Sequence, residues 1–295
     1  MTDAYLCDII RTSKDKNLKF LNFSTQKGNI IMKKILSLVL VALMLASALC
    51  IAGCSGKDDN TLVVYTEAGF APYEFVYNNE IVGVDIEIMK AVADKLGKEL
   101  VVEDVNFDSI IGAVKSGKAD AGAAGITITA ERAEEVDFSA PYSSTEQYLI
   151  LAADNAEIAN ADDLVGKKIG VQQGTTSDFL VSDLIANGSL TGSTLTPYDT
   201  PSLAAAALGT KIDAVVTDKL TAEVIVASSN GAYKTFKLVK ADGSDVAEVE
   251  QYGIAVGKGN AELLAVINEV LAELLANGSI SKWEQEYNDI YSTIE

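Results

Sequence analysis

Arg132 offers the clearest binding chemistry in the sequence. It is one of only two arginines in 295 residues, and the other, Arg11, lies in a segment that we expect to be removed from the finished protein. A planar guanidinium donates two parallel N–H bonds to a carboxylate, a geometry that lysine lacks. The competing interpretation is a surface ion pair with Glu134 or Glu135. We favour the first and predict that Arg132 holds a carboxylate.

Residues 174–177, with the sequence GTTS, form a second candidate site for an anion. They stand between a predicted strand at 168–172 and a predicted helix at 178–186. Backbone N–H groups at a helix N-terminus carry partial positive charge and attract anions. Thr and Ser are also the ordinary caps of helices, so the motif alone does not separate ligand binding from capping.

The absence of other reactive side chains narrows the chemistry. No histidine occurs in the sequence, and the three cysteines, Cys7, Cys50 and Cys54, all lie in its first 54 residues. Beyond residue 54 this excludes histidine general bases, Ser-His-Asp and Cys-His nucleophiles, Cys/His zinc sites and intrachain disulfides. We expect no metal and no cofactor. The formal charge of −19 also makes nucleic acid a poor partner, because an acidic surface repels phosphate.

The N-terminal 53 residues have the pattern of a targeting signal. Met32-Lys33-Lys34 precedes an uncharged run at 35–53, which ends in IAGC at 51–54. This order is typical of a bacterial lipoprotein signal peptide with Cys54 as the lipidated residue, and a plain transmembrane anchor is the alternative. We therefore expect an extracytoplasmic protein that is lipid-anchored to the cell membrane.

The same reading fixes which residues enter the fold. Residues 54–60 would be a polar tether. Residues 1–31 show no helical or strand period, so we expect translation to begin at Met32 and residues 1–31 to contribute nothing to the fold. Removing 1–53 leaves 16 Lys and Arg against 39 Asp and Glu. Arg132 is then the only arginine.

Strands alternate with helices along the rest of the chain. The length suits two domains or one two-lobed unit, and 48% apolar residues indicate a globular protein. The patterns predict strands at 61–67, 99–105, 168–172 and 212–217, a hairpin at 74–83 that turns at Asn78-Asn79, a helix capped by Asp85 and stopped by Gly97, a helix capped by Asp108, and helices at 202–208, 220–227 and 261–276 with a last one around Trp283 and Tyr287.

A short internal repeat indicates two similar halves. The pattern K-x-D-A follows an apolar helix at 118–121 and again at 211–214. Two extended segments, 147–153 and 251–256, predict that the chain leaves a first α/β lobe, builds a second, and returns. The repeat is weak by itself and gains weight from the second strand-helix series that begins at Lys168.

The chain resembles the family-3 extracellular solute-binding proteins over residues 61–290. The resemblance rests on five motifs in order: FAPYE at 70–74, GVDIEI at 83–88, GITITAER at 125–132, DFSAPY at 137–142 and GVQQGTT at 170–176. It implies a two-lobed α/β fold of the periplasmic-binding-protein type (type II), hinged by two crossing segments. Lobe one would comprise 61–146 and 252–295, and lobe two 147–251.

The resemblance also implies roles for particular residues. Thr175 and Thr176 would contact an α-carboxylate from lobe two, opposite Arg132. The α-ammonium would be bound by the carbonyl of Gly125, the hydroxyl of Thr127 and the carboxylate of Asp218, although Asp218 could simply cap the following helix.

Four further residues would line the ligand's side chain. Phe70 and Phe107 would sandwich it, and the alternative is that both belong to the core. Glu67 matches a position that contacts a cationic group of the ligand in some relatives, and the alternative is that it faces solvent. Gln172 is a further polar candidate.

The function implied is reversible capture of an L-amino acid by a monomeric receptor that presents it to the transmembrane subunits of an ABC permease. Carboxylates beside aromatic walls favour a polar or basic amino acid. An enzyme on the same fold, similar to cyclohexadienyl dehydratase, is the alternative, with Glu67 as a general acid. A lytic transglycosylase and a sensor are disfavoured, because they would need a lysozyme-like domain or a transmembrane helix downstream.

Overall fold

The computed structural model describes residues 60–294. The predicted signal peptide, the predicted lipidation site Cys54 and residues 55–59 of the predicted tether lie outside the described residues. The strands of the described part are β1 (Thr61–Thr66), β2 (Gly69–Phe70), β3 (Glu74–Tyr77), β4 (Glu80–Val82), β5 (Glu99–Asp104), β6 (Ala121–Gly122), β7 (Val136–Phe138), β8 (Ser143–Thr145), β9 (Gln147–Ala152), β10 (Lys168–Gln172), β11 (Thr194–Tyr198), β12 (Ala214–Asp218), β13 (Tyr233–Lys237), β14 (Glu250–Tyr252) and β15 (Ala255–Gly257).

Helices connect most of these strands. They are α1 (Val84–Leu96), α2 (Phe107–Lys115), α3 (Ala130–Glu135), α4 (Thr176–Ala186), α5 (Pro201–Ala205), α6 (Lys219–Ser228), α7 (Ala261–Ala276) and α8 (Ser279–Tyr291), with a 3₁₀ turn at Ala161–Leu164. The predicted alternation of strands and helices is confirmed.

Two five-stranded sheets form the centres of two lobes. The first has the order β5-β1-β6-β15-β7 and the second the order β11-β10-β12-β9-β13. In each sheet three neighbouring strands are parallel and the last two strands join antiparallel. The carboxyl ends of the parallel strands are where ligands bind in open α/β sheets, so both lobes present their binding edges through the same architecture.

The K-x-D-A repeat has the same structure in both lobes. The carboxylate of Asp120 accepts a hydrogen bond from the backbone N–H of Val63 at 2.9 Å. The carboxylate of Asp213 accepts one from the backbone N–H of Lys168 at 2.8 Å. Each aspartate therefore links the start of the middle strand of its sheet, β6 or β12, to the neighbouring parallel strand, β1 or β10. This shared contact explains why the short pattern recurs.

The chain crosses between the lobes through two paired strands. β8 pairs antiparallel with β14, with Ser143 opposite Tyr252. The extended segment predicted at 147–153 is β9, which lies inside the second sheet between β12 and β13. The apolar side chains of β9 pack into the core of lobe two. The chain therefore crosses between the lobes before residue 147, at β8.

Turns and helix ends follow local sequence where no distant partner intervenes. Asn78 and Asn79 have φ values of 51° and 64°, which confirms the predicted hairpin turn, and Gly97 ends α1 with φ of 65°. The predicted caps Asp85 and Asp108 are wrong. Gly83 and Asn106 occupy those cap positions, and both aspartates lie inside the first helical turn.

The two C-terminal helices complete lobe one. α7 has the predicted bounds, and its Leu263, Ile267, Val270 and Leu271 lie in the core of the first sheet. Among residues 60–294 none of the helices alone has the length and apolar composition of a membrane span. Only α7 and α8 taken together reach that length and composition, and they are bent by 77° relative to each other. Burial in the lobe-one core accounts for that apolar composition.

Candidate functional site

The predicted site residues meet in one cleft between the lobes. Apart from Glu67, all of them line a single enclosed cavity, together with Ala124, Ser177 and Thr217: the set is Phe70, Phe107, Gly125, Thr127, Arg132, Gln172, Thr175, Thr176 and Asp218. The segments after β1, β5 and β6 supply the first lobe's residues. The end of β12 and the turn between β10 and α4 supply the second lobe's residues.

Arg132 joins the two lobes. Its guanidinium donates to the carbonyl oxygens of Thr127 at 2.8 Å and of Gly174 at 3.1 Å, and it lies 5.4 Å from the ring centre of Phe107. Burial lowers the pKa of Arg132, and the charge of Glu250 opposes that shift. Among the described residues Glu135 pairs with Lys115 at 3.4 Å, and neither Glu134 nor Glu135 forms an ion pair with Arg132, so the competing surface pair is not formed.

The two threonines of the GTTS turn have different roles. Thr175 is the cap of α4, and its hydroxyl accepts from the N–H of Asp178 at 3.2 Å while donating to the carbonyl of Gln172 at 2.8 Å. Thr176 begins the helix, and its hydroxyl donates to the carboxylate of Glu250 at 2.7 Å. The helix starts two residues earlier than predicted, because Thr175 rather than a later residue provides the cap.

Asp218 is buried at the end of β12. It stands at the position that precedes α6, yet its carboxylate is directed to Gln147, which donates at 2.8 Å, and to the hydroxyl of Tyr252. Burial raises the pKa of Asp218 to about 7, and the nearby charge of Glu250 acts in the same direction. The carboxylate therefore belongs to the cleft rather than to a helix cap.

Gly125 and Thr127 form the wall of lobe one. Gly125 has φ of +53°, and a Cβ there would lie 2.9 Å from Cε1 of Phe70, so a glycine is required. The hydroxyl of Thr127 donates to Glu250 at 2.8 Å, which leaves its lone pairs available as acceptors. This geometry suits the predicted contact with an ammonium group.

The two aromatic residues of the cleft, Phe70 and Phe107, differ in burial. Phe70 is buried against Tyr73 and Tyr252, with ring centres 6.1 Å and 6.5 Å apart. Phe107 is only partly buried and begins α2 beside Arg132. Phe70 is therefore both a core residue and a cleft residue, so the two interpretations made from the sequence do not exclude each other.

Glu67 and Gln172 form a polar pair across the lobes. Glu67 is 6% exposed, which contradicts the interpretation that it faces solvent. Its carboxylate accepts from Nε2 of Gln172 at 2.7 Å, and the same nitrogen donates to the carbonyl of Asp199 at 3.0 Å. Burial raises the pKa of Glu67 to about 7.

Two residues of the cleft, Glu250 of β14 and Gln147 at the start of β9, were not predicted from the sequence. Glu250 Oε2 accepts from the hydroxyls of both Thr127 and Thr176, and its Oε1 accepts from Gln147 at 2.9 Å. Gln147 in turn accepts from the hydroxyl of Ser177 at 2.6 Å. Their only signal in the sequence was their position beside the two crossing segments.

This geometry agrees with comparisons to known proteins. The sequence profile of the bacterial extracellular solute-binding proteins, family 3, matches residues 62–290. The chain belongs to this family.

Individual family-3 proteins and structures are similar over most of their length. The arginine-binding extracellular protein ArtP of Bacillus subtilis is 30% identical over 87% of this chain and 98% of its own length. An ancestral arginine-binding protein, solved with arginine, is 39% identical over 78% of this chain and 99% of its own, with a TM-score of 0.69. The amino acid ABC transporter substrate-binding protein AbpA of Streptococcus pneumoniae, bound to L-arginine, is 29% identical over 80% and 97%, with a TM-score of 0.72.

The family-3 cleft is narrow at its centre and open at its mouth. The enclosed cavity measures about 10 Å³, which is below the size of any amino acid. A groove of about 780 Å³ adjoins it and shares Phe107, Arg132 and Thr176 with it. A ligand therefore needs the lobes to part before it can enter. Among residues 60–294 no cluster of three or more His, Cys, Asp or Glu side chains could hold a metal ion.

Proposed function

We propose that this protein captures a polar or basic L-amino acid between its lobes, without chemical conversion, and delivers it to the transmembrane subunits of an ABC permease. The observation that carries the proposal is Arg132, whose guanidinium reaches from lobe one to the carbonyl of Gly174 in lobe two. A carboxylate bound there would touch both lobes, so ligand binding and lobe closure would be one event.

The charges of the cleft favour a cationic ligand. Asp218 and Glu250 place two carboxyl groups whose charges act on Arg132, and Glu67 adds a third carboxyl group beside Gln172. A zwitterion with a positive side chain would offset part of this excess negative charge, whereas glutamate or aspartate would bury a further carboxylate beside it. Arginine is therefore the first candidate.

The relatives support the same order of candidates. Two of the proteins compared above were solved with arginine, and the ancestral protein, 39% identical, was also solved with glutamine at a TM-score of 0.68 over 78% of this chain and 99% of its own. A site that accepts both has polar contacts at the end of the ligand's side chain. Glu67 and Gln172 are suited to that role, because one accepts and the other can both donate and accept hydrogen bonds.

The location of the protein belongs to the same proposal. Lipidation of Cys54 would hold a monomeric receptor at the outer face of the membrane, within reach of its permease. The family is one of extracellular proteins. Mass spectrometry of the protein purified from its membrane should find a lipid on Cys54, and Cys54→Ala should leave the signal peptide uncleaved.

A ligand screen tests the proposed function. We would measure the thermal denaturation of the full-length protein in mild detergent with each of the twenty amino acids and with prephenate. A ligand present at 1,000 times its Kd adds about 4 kcal/mol to the free energy of unfolding. Stabilisation by arginine, lysine, histidine or glutamine supports the proposal. Stabilisation by prephenate together with its consumption would favour the enzyme instead.

A further inference from the structure

Glu250 occupies the hydrogen-bonding groups that a bound amino acid would need. Its Oε2 accepts from Thr127 of lobe one at 2.8 Å and from Thr176 of lobe two at 2.7 Å. Its Oε1 accepts from Gln147 at 2.9 Å. A carboxylate on a crossing strand thus bridges both lobes, as the proposed ligand would.

The hydroxyl of Thr176 can serve only one of these two carboxylates. A threonine hydroxyl has a single proton to donate, and in this structure Thr176 gives it to Glu250. A ligand carboxylate that took the same proton would lie within a few ångströms of Glu250 in a cleft from which water is largely excluded. Two carboxylates that close repel each other strongly where the dielectric is low.

Arg132 is shared in the same way. Glu250 contributes the largest favourable charge that acts on Arg132, ahead of Asp218. Gln147 uses both of its N–H groups to hold those two carboxylates together, donating to Asp218 at 2.8 Å and to Glu250 at 2.9 Å. The crossing strands therefore place a second, fixed anion beside the only cation of the site.

We propose that Glu250 is an affinity- and specificity-determining residue, whose carboxylate competes with the ligand's carboxylate for the hydroxyl of Thr176 and the charge of Arg132. The proposal rests on the proposed function. An incoming amino acid must displace Glu250 from Thr176, so only ligands with enough additional contacts bind tightly. A ligand with a second carboxylate faces this fixed anion as well and is rejected further.

The test removes the charge of Glu250 without changing its shape. We would titrate L-arginine and L-glutamate into the wild-type protein, Glu250→Gln and Glu248→Gln by calorimetry. Glu248 is exposed two residues away, so its variant is matched in charge. We expect Glu250→Gln to bind arginine about tenfold more tightly, with a smaller preference for arginine over glutamate, and Glu248→Gln to match the wild type.

A double-mutant cycle shows whether the competition is for Thr176. If it is, Glu250→Gln should gain much less affinity in a Thr176→Val background than in the wild type. X-ray scattering without amino acid should also give a larger radius of gyration for Glu250→Gln, because a neutral amide oxygen accepts from Thr127 and Thr176 more weakly than the carboxylate does and so holds the lobes together less firmly. Glu250→Asp, which keeps the charge on a shorter side chain, should fall between the wild type and Glu250→Gln and serves if Glu250→Gln does not fold.

The outcomes separate this proposal from the proposed function. Equal or weaker arginine binding by Glu250→Gln, with normal binding by the wild type, overturns the competition and makes Glu250 a direct or positioning contact for the ligand. A wild type that binds none of the twenty amino acids overturns the proposed function, and the role of Glu250 with it.

Discussion

Two buried carboxyl groups, Glu74 of lobe one and Asp218 of lobe two, have opposite surroundings. In lobe one, Glu74 and Asp85 lie behind the cleft, and among residues 60–294 neither oxygen of Glu74 has a hydrogen-bond partner. In lobe two, Asp218 accepts from Gln147 and Tyr252. A buried carboxylate needs partners to remain charged at low cost. The comparison indicates that Asp218 has partners that favour its charged form, whereas Glu74 has none and its burial favours the neutral form.

The surroundings of the two groups explain the difference. Burial raises the pKa of Glu74 well above its usual value, and the neighbouring Asp85 raises it further. Asp218 shares its environment with Arg132, whose charge lowers its pKa and so opposes the effect of burial. The only arginine beyond residue 53 thus favours the charged form of Asp218.

Substitution of Arg132 has the largest expected effect, because it removes the cation that distinguishes the surroundings of Asp218 from those of Glu74. Arg132→Ala would leave the ligand's carboxylate in the closed cleft without a cation, a loss that typically costs about 3 to 5 kcal/mol. Calorimetry should show affinity for arginine falling a few hundred to a few thousandfold, at roughly 1.4 kcal/mol per decade. Arg132→Lys should recover part of the loss, because it keeps the charge without the planar fork.

The melting temperature separates a binding role from a structural one. Arg132 belongs to a short helix at the cleft, so its variants should melt close to the wild type. Unchanged affinity in Arg132→Ala would show that the carboxylate binds elsewhere.

Substitution of Glu74 should sharpen the comparison through pH. The folded-state pKa of Glu74 is raised, and that of Asp85 is raised to about 7 by burial. In this pH range the folded state holds more protons than the unfolded state, so the free energy of unfolding should fall as the pH rises from about 4 to above 7. Glu74→Gln should flatten that decline and be more stable than the wild type at pH 8, because a neutral amide has no charge to bury.

Urea denaturation at pH 5 and pH 8 measures this effect. Glu248→Gln is the control, since it removes a charge from an exposed site and should leave the pH dependence intact. A wild type that is equally stable at both pH values would show that Glu74 and Asp85 are charged in the folded protein.

The sequence predicted well what depends on local pattern. The turn at Asn78-Asn79, the end of α1 at Gly97 and the bounds of α7 follow from backbone preferences and apolar period. Arg132 and Asp218 could be singled out because the chemistry of a carboxylate and an ammonium requires such groups. Whether they meet was implied by the family resemblance and is a property of the packed lobes.

The errors and omissions have a common cause in distant contacts. Asp85 was expected to cap α1, but it accepts from the backbone N–H of Gly125, 40 residues away. Asp108 accepts from Gln173 of the other lobe at 2.8 Å. Glu250 was overlooked among the 39 acids beyond residue 53, because its role depends on the pairing of β8 with β14 at the crossing, and the sequence shows only that Glu250 precedes the segment at 251–256.

The smallest expected effect distinguishes the two threonines of lobe two. The hydroxyl of Thr175 gives its single proton to the carbonyl of Gln172 and accepts from the N–H of Asp178. Any hydrogen bond from Thr175 to a ligand's carboxylate would therefore come from its backbone N–H, which substitution preserves. Thr175→Ala should therefore lower the free energy of unfolding by about 1 kcal/mol through loss of the cap, with affinity for arginine changed less than about threefold. Thr175→Ser keeps the cap and should match the wild type. Thermal denaturation and calorimetry on the same samples measure both quantities, and a tenfold loss of affinity at an unchanged melting temperature would return the side chain of Thr175 to the ligand.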